Sequence, residues 1–310
     1  MGKIYDNILE TIGHTPIVRL HRVEKEYNLK AKLFAKVDFF NPGGSIKDRM
    51  ALNMVEAAEK EGLLKEGGMI IEGSSGNTGI GLALVGAAKG YKVKICMPEN
   101  MSRERQVILK AFGADVYLTP SNLNMAGGAK KTDELLLQYP DAFSPRQGKN
   151  PNNPGAHYKT TGPEIWDDMD GNVDILVACS GTGGTISGTG RFLREKKPDI
   201  EIIAVEPLGS PLLNGGVHGP HKIQDIGGGA TPETTDQSLF NEVIDVSDDD
   251  AYFFARLSPR LEGILVGISA GAALYAAVEV AKIEENKDKN IVVIFPDGGD
   301  HYLSSDLFED

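Results

Sequence analysis

Four short stretches hold residues whose types and spacing could do chemistry, and the first of them centres on one lysine. In Asn41 to Arg49 (Asn-Pro-Gly-Gly-Ser-Ile-Lys-Asp-Arg), Lys47 stands just behind a glycine pair and a serine. Ser45 predicts an N-cap, and apolar residues at helical spacing (Ile46, Met50, Met54, Ala57, Ala58) predict a helix that Gly62 ends. The positive end of a helix dipole disfavours an ammonium, and burial disfavours it further. Both push the Lys47 amine toward its neutral, nucleophilic form, which can make a Schiff base. A solvated surface lysine is the plain alternative, and this stretch alone does not exclude it.

The second stretch, Ser180 to Thr185 (Ser-Gly-Thr-Gly-Gly-Thr), reads as a loop between a buried strand and a helix. Gly181, Gly183 and Gly184 let the backbone approach an anion, Thr182 and Thr185 add hydroxyl donors, and the helix start adds positive potential. Without the lysine of a Walker loop or the spacing of a dinucleotide fingerprint, one phosphate is the better match than two. The third, Gly73 to Gly79 (Gly-Ser-Ser-Gly-Asn-Thr-Gly), offers Ser74, Ser75, Asn77 and Thr78 within one turn, a neutral donor set suited to a carboxylate. The fourth, Val266 to Gly271, holds Ser269 before a helix predicted from Ala270. Alone, it reads as an ordinary N-cap, and each glycine loop alone as turn punctuation.

Alternating strands and helices must position these loops. Strands are predicted at 17–20, 33–38, 69–72, 92–97, 115–118, 173–179, 201–206, 242–246 and 291–295. Helices are predicted at 80–89, closed by Gly90, at 102–112 with Ser102 as cap, and at 125–138, 159–169, 186–196, 249–257 and 270–284, with a short helical segment at 5–12. Units of this length imply parallel pairing and an α/β chain of two doubly wound domains. The proline- and glycine-rich run Phe143 to Gly155 reads as a linker or hinge, and 207–235 as irregular. Ligands of such sheets bind at the carboxyl ends of strands, where all four loops are expected.

At 310 residues the chain can bury a substantial core, and its net charge of −12 argues against nucleic acid as a partner. No run approaches a membrane span, and Met1 to Glu10 lacks the pattern of a signal peptide. Cys96 and Cys179 lie inside apolar runs far apart and read as reduced core residues of a cytoplasmic protein. No metal is expected; His218 and His221 have ligand spacing but no acidic or cysteine partner nearby. A lysine at one helix start with a phosphate loop at another is what pyridoxal phosphate needs.

The successive blocks Asn41 to Arg49, Ser74 to Gly79, Gln147 with Asn150 to Asn152, Thr160 to Ile165, Gly181 to Thr185, Lys222 to Gly227 and Gly267 to Gly271 resemble those of the cysteine synthase (O-acetylserine sulfhydrylase) and cystathionine β-synthase family. The resemblance implies a tryptophan synthase β-subunit-like, fold type II pyridoxal 5'-phosphate enzyme, usually a homodimer. It implies a larger cofactor-binding domain (1–40 and 146–310) and a smaller mobile one (41–145) that closes over substrate. Lys47 would be the Schiff-base lysine and later the acid/base at Cα. Asn77 would meet the ring oxygen of the cofactor, Gly181 to Thr185 its phosphate, and Ser269 its pyridine nitrogen. Ser74, Ser75, Thr78 and Gln147 would grip the amino-acid carboxylate.

The implied reaction is β-replacement at Cβ of a serine or cysteine derivative through an aminoacrylate, with O-acetylserine and sulfide as substrates. The sequence departs from the family in Ser74, in Gly148 and Ala230 where aromatics are usual, in Asp225 where glycine is usual, and in His301 where arginine is usual. These departures imply a roomier, more acidic pocket. They keep open a cysteine lyase that releases hydrogen sulfide with Asp225 as catalytic base. Asp225 pointing to solvent from its loop is the structural alternative, and an amino-acid-binding protein without catalysis is the alternative of another class.

Overall fold

The structure, a computed structural model, describes residues 4–309. Nine strands form two sheets among the described residues. Six of them, β1 (Ile17–Arg19), β2 (Lys32–Val37), β6 (Ile175–Cys179), β7 (Glu201–Pro207), β8 (Glu242–Val246) and β9 (Asn290–Phe295), join in the order β1-β2-β9-β6-β7-β8. A smaller sheet holds β3 (Met69–Gly73), β4 (Lys92–Pro98) and β5 (Asp115–Thr119) in that order. Every pairing is parallel except β1 with β2, as the strand and helix alternation predicts.

The helices are α1 (His21–Glu26), α2 (Lys47–Lys60), α3 (Asn77–Lys89), α4 (Arg103–Ala111), α5 (Asn124–Gln138), α6 (Asn152–Lys159), α7 (Thr161–Asp168), α8 (Gly184–Lys196), α9 (Asp248–Glu262) and α10 (Ile268–Lys282). Successive side chains of a buried strand serve opposite faces, and the large sheet follows that rule. Val177, Val293 and Phe295 pack with α9 and α10, whereas Leu176, Val292 and Ile294 pack with α7 and α8. Each such aliphatic side chain contributes roughly 1.5–3 kcal/mol when fully buried. Helix α10 is buried nearly all round because Ala270, Ala272, Ala273, Ala276 and Ala277 leave little bulk between helix and sheet. The small sheet is covered by α2, α3 and α4 on one face, and by α5 through Leu135 on the other.

Several predicted elements differ from the observed ones. The helix expected over 159–169 is α7, and a further helix, α6, precedes it and is separated from it at Thr160, whose backbone (φ −126°, ψ −68°) leaves the helical region. The expected linker 143–155 is partly ordered: Phe143 pairs with β3 at Ile70, and α6 already begins at Asn152. Helix α9 runs to Glu262, past Pro259, and Gly263 ends it in the left-handed conformation. Ser102 stands at the head of α4, but its hydroxyl donates to the His301 carbonyl at 2.8 Å and does not cap the helix. The segment expected over 5–12 is a single 3-10 turn, Ile8–Thr11.

Candidate active site

Strand order in the large sheet reverses between β6 and β9, with β7 and β8 to one side and β2 to the other. That switch point opens a crevice at the carboxyl ends of the two strands. The loop carrying Lys47 is tied to it: Ser45 bridges to Asp297, and the Ile46 N–H donates to the Pro296 carbonyl at 2.8 Å. Helix α2 begins at Lys47 itself, and the Ser45 hydroxyl accepts the Lys47 N–H at 3.2 Å, so the predicted capping serine serves the first turn. Burial pushes the Lys47 amine below its ordinary range, and the charges of Asp225 and Asp297 oppose this.

The residues after Lys47 fix the helix start. Asp48 accepts the Gly43 N–H at 2.6 Å, closing the glycine loop, and burial pushes its carboxyl up to about 7 against that hydrogen bond. Arg49 is buried between Asp38 at 2.8 Å and Glu164 at 2.6 Å, and Lys36 adds a contact to Glu164 at 2.9 Å. Burial would raise Glu164, but the hydrogen bonds and charge of Arg49, with Lys36, outweigh it and hold the carboxyl at about 2. This ionic network anchors α2 to β2 and α7.

One internal cavity is lined by Lys47, Asn77, Gly181, Thr185, Asp225 and Ser269, among others. Gly181 to Thr185 turn from β6 into α8, and Gly183 heads the helix with φ +74°. A Cβ on Gly183 would strike Thr235, and one on Gly184 would strike Asn153. Among the described residues, the N–H groups of Gly181, Thr182 and Gly183 find no protein acceptor, while Gly184 N–H reaches only Thr182 Oγ1 at 3.4 Å. Orphan donors in a cradle without side-chain bulk, at a helix N-terminus, fit a phosphate group. His157, kept neutral by burial and by the nearby Lys47 and Arg49 charges, contacts Thr185 Oγ1 at 3.3 Å and Thr161 Oγ1 at 2.9 Å.

The serine and asparagine loop follows β3 and opens α3. Ser74 is spent on the loop itself, its hydroxyl accepting the N–H groups of Gly76 at 3.1 Å and Gly79 at 3.0 Å. Ser75 donates to Asp225 Oδ1 at 3.0 Å, and Thr78 to Gln147 Oε1 at 2.6 Å. Asn77 donates to Asp297 Oδ2 at 2.8 Å and contacts His301 Nδ1 at 3.0 Å through its Oδ1. Ser269 is buried in the first turn of α10, and its carbonyl accepts the Cys179 thiol at 3.1 Å. Burial pushes that thiol up to about 12, and both cysteines are free. The Ser269 loop lies between two helices, as expected. It joins α9 to α10 and reaches the crevice through a bridge between Val266 and Gly298.

Asp225 does not point to solvent. Its side chain is 12% exposed and pairs with Arg105 at 2.6 Å. Burial would raise its carboxyl, but the Arg105 charge, with hydrogen bonds from Ser75 and Arg105, holds it below the usual carboxylate range. Gly148 and Ala230 do not line this cavity: Ala230 is exposed and Gly148 faces Pro232.

Sequence reasoning missed Arg105, Asp297 and Tyr302. Arg105 is fully buried and stacks over the Tyr302 ring with its guanidinium 4.9 Å from the centroid. Its signal was a charge one turn before Leu109 on the buried face of α4. Asp297 lies just past β9 at the switch point, where a ligand-facing residue is expected, and Tyr302 donates to it at 2.6 Å.

A buried lysine amine, pushed below its ordinary range, beside a phosphate cradle inside a doubly wound α/β crevice defines the class as a pyridoxal phosphate-dependent enzyme. The chain belongs to that family, whose description, "Pyridoxal-phosphate dependent enzyme", matches residues 8–297. It is 48% identical over 307 residues to a cysteine synthase of Staphylococcus aureus, covering 99% of this chain and 98% of the relative. Among solved structures, cysteine synthase from Entamoeba histolytica superposes with a TM-score of 0.96 at 45% identity, covering 99% of this chain and 92% of that one. A hydrogen sulfide-producing enzyme from Fusobacterium nucleatum superposes with a TM-score of 0.93 at 43% identity, covering 97% of this chain and 100% of that one. The protein is a pyridoxal phosphate-dependent β-replacement enzyme.

Proposed function

We propose that the chain makes cysteine from O-acetylserine and sulfide. The observation that carries this is the convergence of Lys47, the Gly181 to Thr185 cradle, Asn77 and Ser269 on one cavity, beside a donor-rich loop. The bound cofactor supplies an electron sink for charge at Cα of the amino acid. Lys47 would hold the cofactor and, when its amine is free, would take the Cα proton on Nζ. Burial favours the neutral amine that can accept the proton, and the charges of Asp225 and Asp297 favour the ammonium that results. Ser269 would offer the pyridine nitrogen a hydroxyl in place of a carboxylate, which would favour prompt loss of the β substituent over transamination. Ser75, Thr78 and Gln147 bind the substrate carboxylate, and Ser74 holds their loop in shape. The test is cysteine formation by purified protein from O-acetylserine and sulfide. Absence of cysteine from an enzyme that carries its cofactor would overturn the reading.

A second reading is favoured by Asp225 on the wall of the same cavity, and by the likeness to the sulfide-producing enzyme of Fusobacterium nucleatum. Here cysteine is the donor, sulfide leaves, and Asp225 orients and deprotonates water or another weakly acidic nucleophile. Sulfide, serine and pyruvate released from cysteine by wild type, Asp225→Asn and Asp225→Gly decide it. Unchanged product ratios in both variants contradict a role for Asp225. The protein is taken to work as a cytoplasmic homodimer, which light scattering on the purified enzyme checks for the oligomer. Among the described residues no helix is long and apolar enough to cross a membrane.

A further inference from the structure

Two donors of the loop assigned to the substrate already serve a carboxylate of the chain itself. Ser75 Oγ donates to Asp225 Oδ1 at 3.0 Å, and Asn77 Nδ2 lies 3.3 Å from Asp225 Oδ2. From the other side Arg105 holds the same carboxylate, Nη2 to Oδ2 at 2.6 Å and Nη1 to Oδ1 at 3.4 Å, and Tyr302 donates to Oδ2 at 3.1 Å. Arg105 also donates to the Ser75 carbonyl at 3.3 Å and packs so closely under Gly76 that a Cβ there would strike it. The guanidinium therefore touches both the loop and the carboxylate seated in it. Asp225 keeps a left-handed backbone, φ +72°, which these contacts must hold because it favours glycine.

We propose that Asp225 is an internal competitor for the substrate carboxylate, held by Arg105, and that an incoming amino acid binds by taking the Ser75 hydroxyl from it. This rests on the assignment of Ser75 to substrate binding. A serine hydroxyl has one proton to donate, so two carboxylates cannot both receive it. Two carboxylates brought together in a buried site also repel each other. Asp225 keeps Arg105 and Tyr302 after the exchange, so it is not left unpaired. The competition lowers affinity for every amino acid that must use Ser75, and so sets how selective the site is for ligands with further contacts.

Isothermal titration of the cofactor-loaded enzyme with L-alanine, which has no β leaving group, reads the competition without turnover. Asp225→Gly is expected to bind alanine about tenfold more tightly than wild type, the effect of one charge-assisted hydrogen bond, and Asp225→Asn, whose amide oxygen still accepts weakly, by less. Ser75→Ala is expected to bind it more weakly, and Asp225→Gly is expected to tighten binding much less in the Ser75→Ala background, where only the charge repulsion is relieved. If Ser75→Ala weakens binding while both Asp225 variants bind as wild type or worse, the competition is wrong and the loop assignment stands. Tightening as large in the double variant as in the Asp225 variant alone also overturns it. If Ser75→Ala leaves affinity unchanged, the loop assignment falls and the competition falls with it.

Discussion

Arg49 and Asp48 show how much of the chemistry at Lys47 depends on its two neighbours. Arg49 and Asp38 are both fully buried as side chains, so removing one partner leaves an uncompensated charge. Arg49→Met is expected to destabilise the fold by roughly 3–5 kcal/mol, checked by urea unfolding. An effect below about 1 kcal/mol would place the pair among weak surface-like contacts. Burial holds the Asp48 carboxyl up at about 7 in the folded chain, against about 3.9 for an unperturbed aspartate. A raised folded pKa means that the folded state binds the proton more tightly, so this stabilising contribution is present below the unfolded value and lost as pH rises through about 7. Stability of Asp48→Asn relative to wild type is therefore expected to improve between pH 5 and pH 8, in unfolding curves taken across that range. A difference that does not change with pH would contradict it.

At the scale of elements, loops that turn from a strand into a helix carry most of the site. Gly183 combines a left-handed backbone with contact against Thr235, so Gly183→Ala distorts the phosphate cradle. Its cofactor affinity, followed by absorbance on dialysis, is expected to fall at least tenfold, and full retention would contradict the cradle. These loops were legible because glycine, serine and threonine between a buried strand and a helical run declare themselves locally. The Lys47 helix was legible for the same reason. What stayed hidden depends on tertiary contact: Arg105 looked like one charge in a charged helix, and only the packing of α4 against Tyr302 and Asp225 buries it. Helix α6 was equally invisible, because Pro151, Pro154 and Gly155 make its sequence read as a loop. The Ser102 hydroxyl chose a carbonyl nearly two hundred residues away over its own helix, a competition that no local pattern records.

For the whole molecule, the two sheets meet across polar contacts that a moving unit would have to exchange. Thr78 to Gln147, Asn77 to His301 and Ser102 to the His301 carbonyl all cross from the small sheet's unit to its surroundings. The smaller unit, 41–145, is expected to close over the amino acid when the loop at Ser75 receives its carboxylate. Amino acids should then change the cofactor spectrum, whereas their amides and decarboxylated analogues should not. Equal responses to both would contradict closure driven by the carboxylate. The fold type and the two sheets followed from alternation of apolar strands and helices, while strand order and the meeting of the loops at the β6 and β9 crevice required the tertiary structure.

The central claim is that Lys47 carries the cofactor, and borohydride reduction of the enzyme followed by peptide mapping tests it directly. The account predicts a pyridoxyl group on Lys47 in the wild type, and none on any lysine of a folded Lys47→Ala variant. A pyridoxyl group on another lysine of the wild type would contradict it.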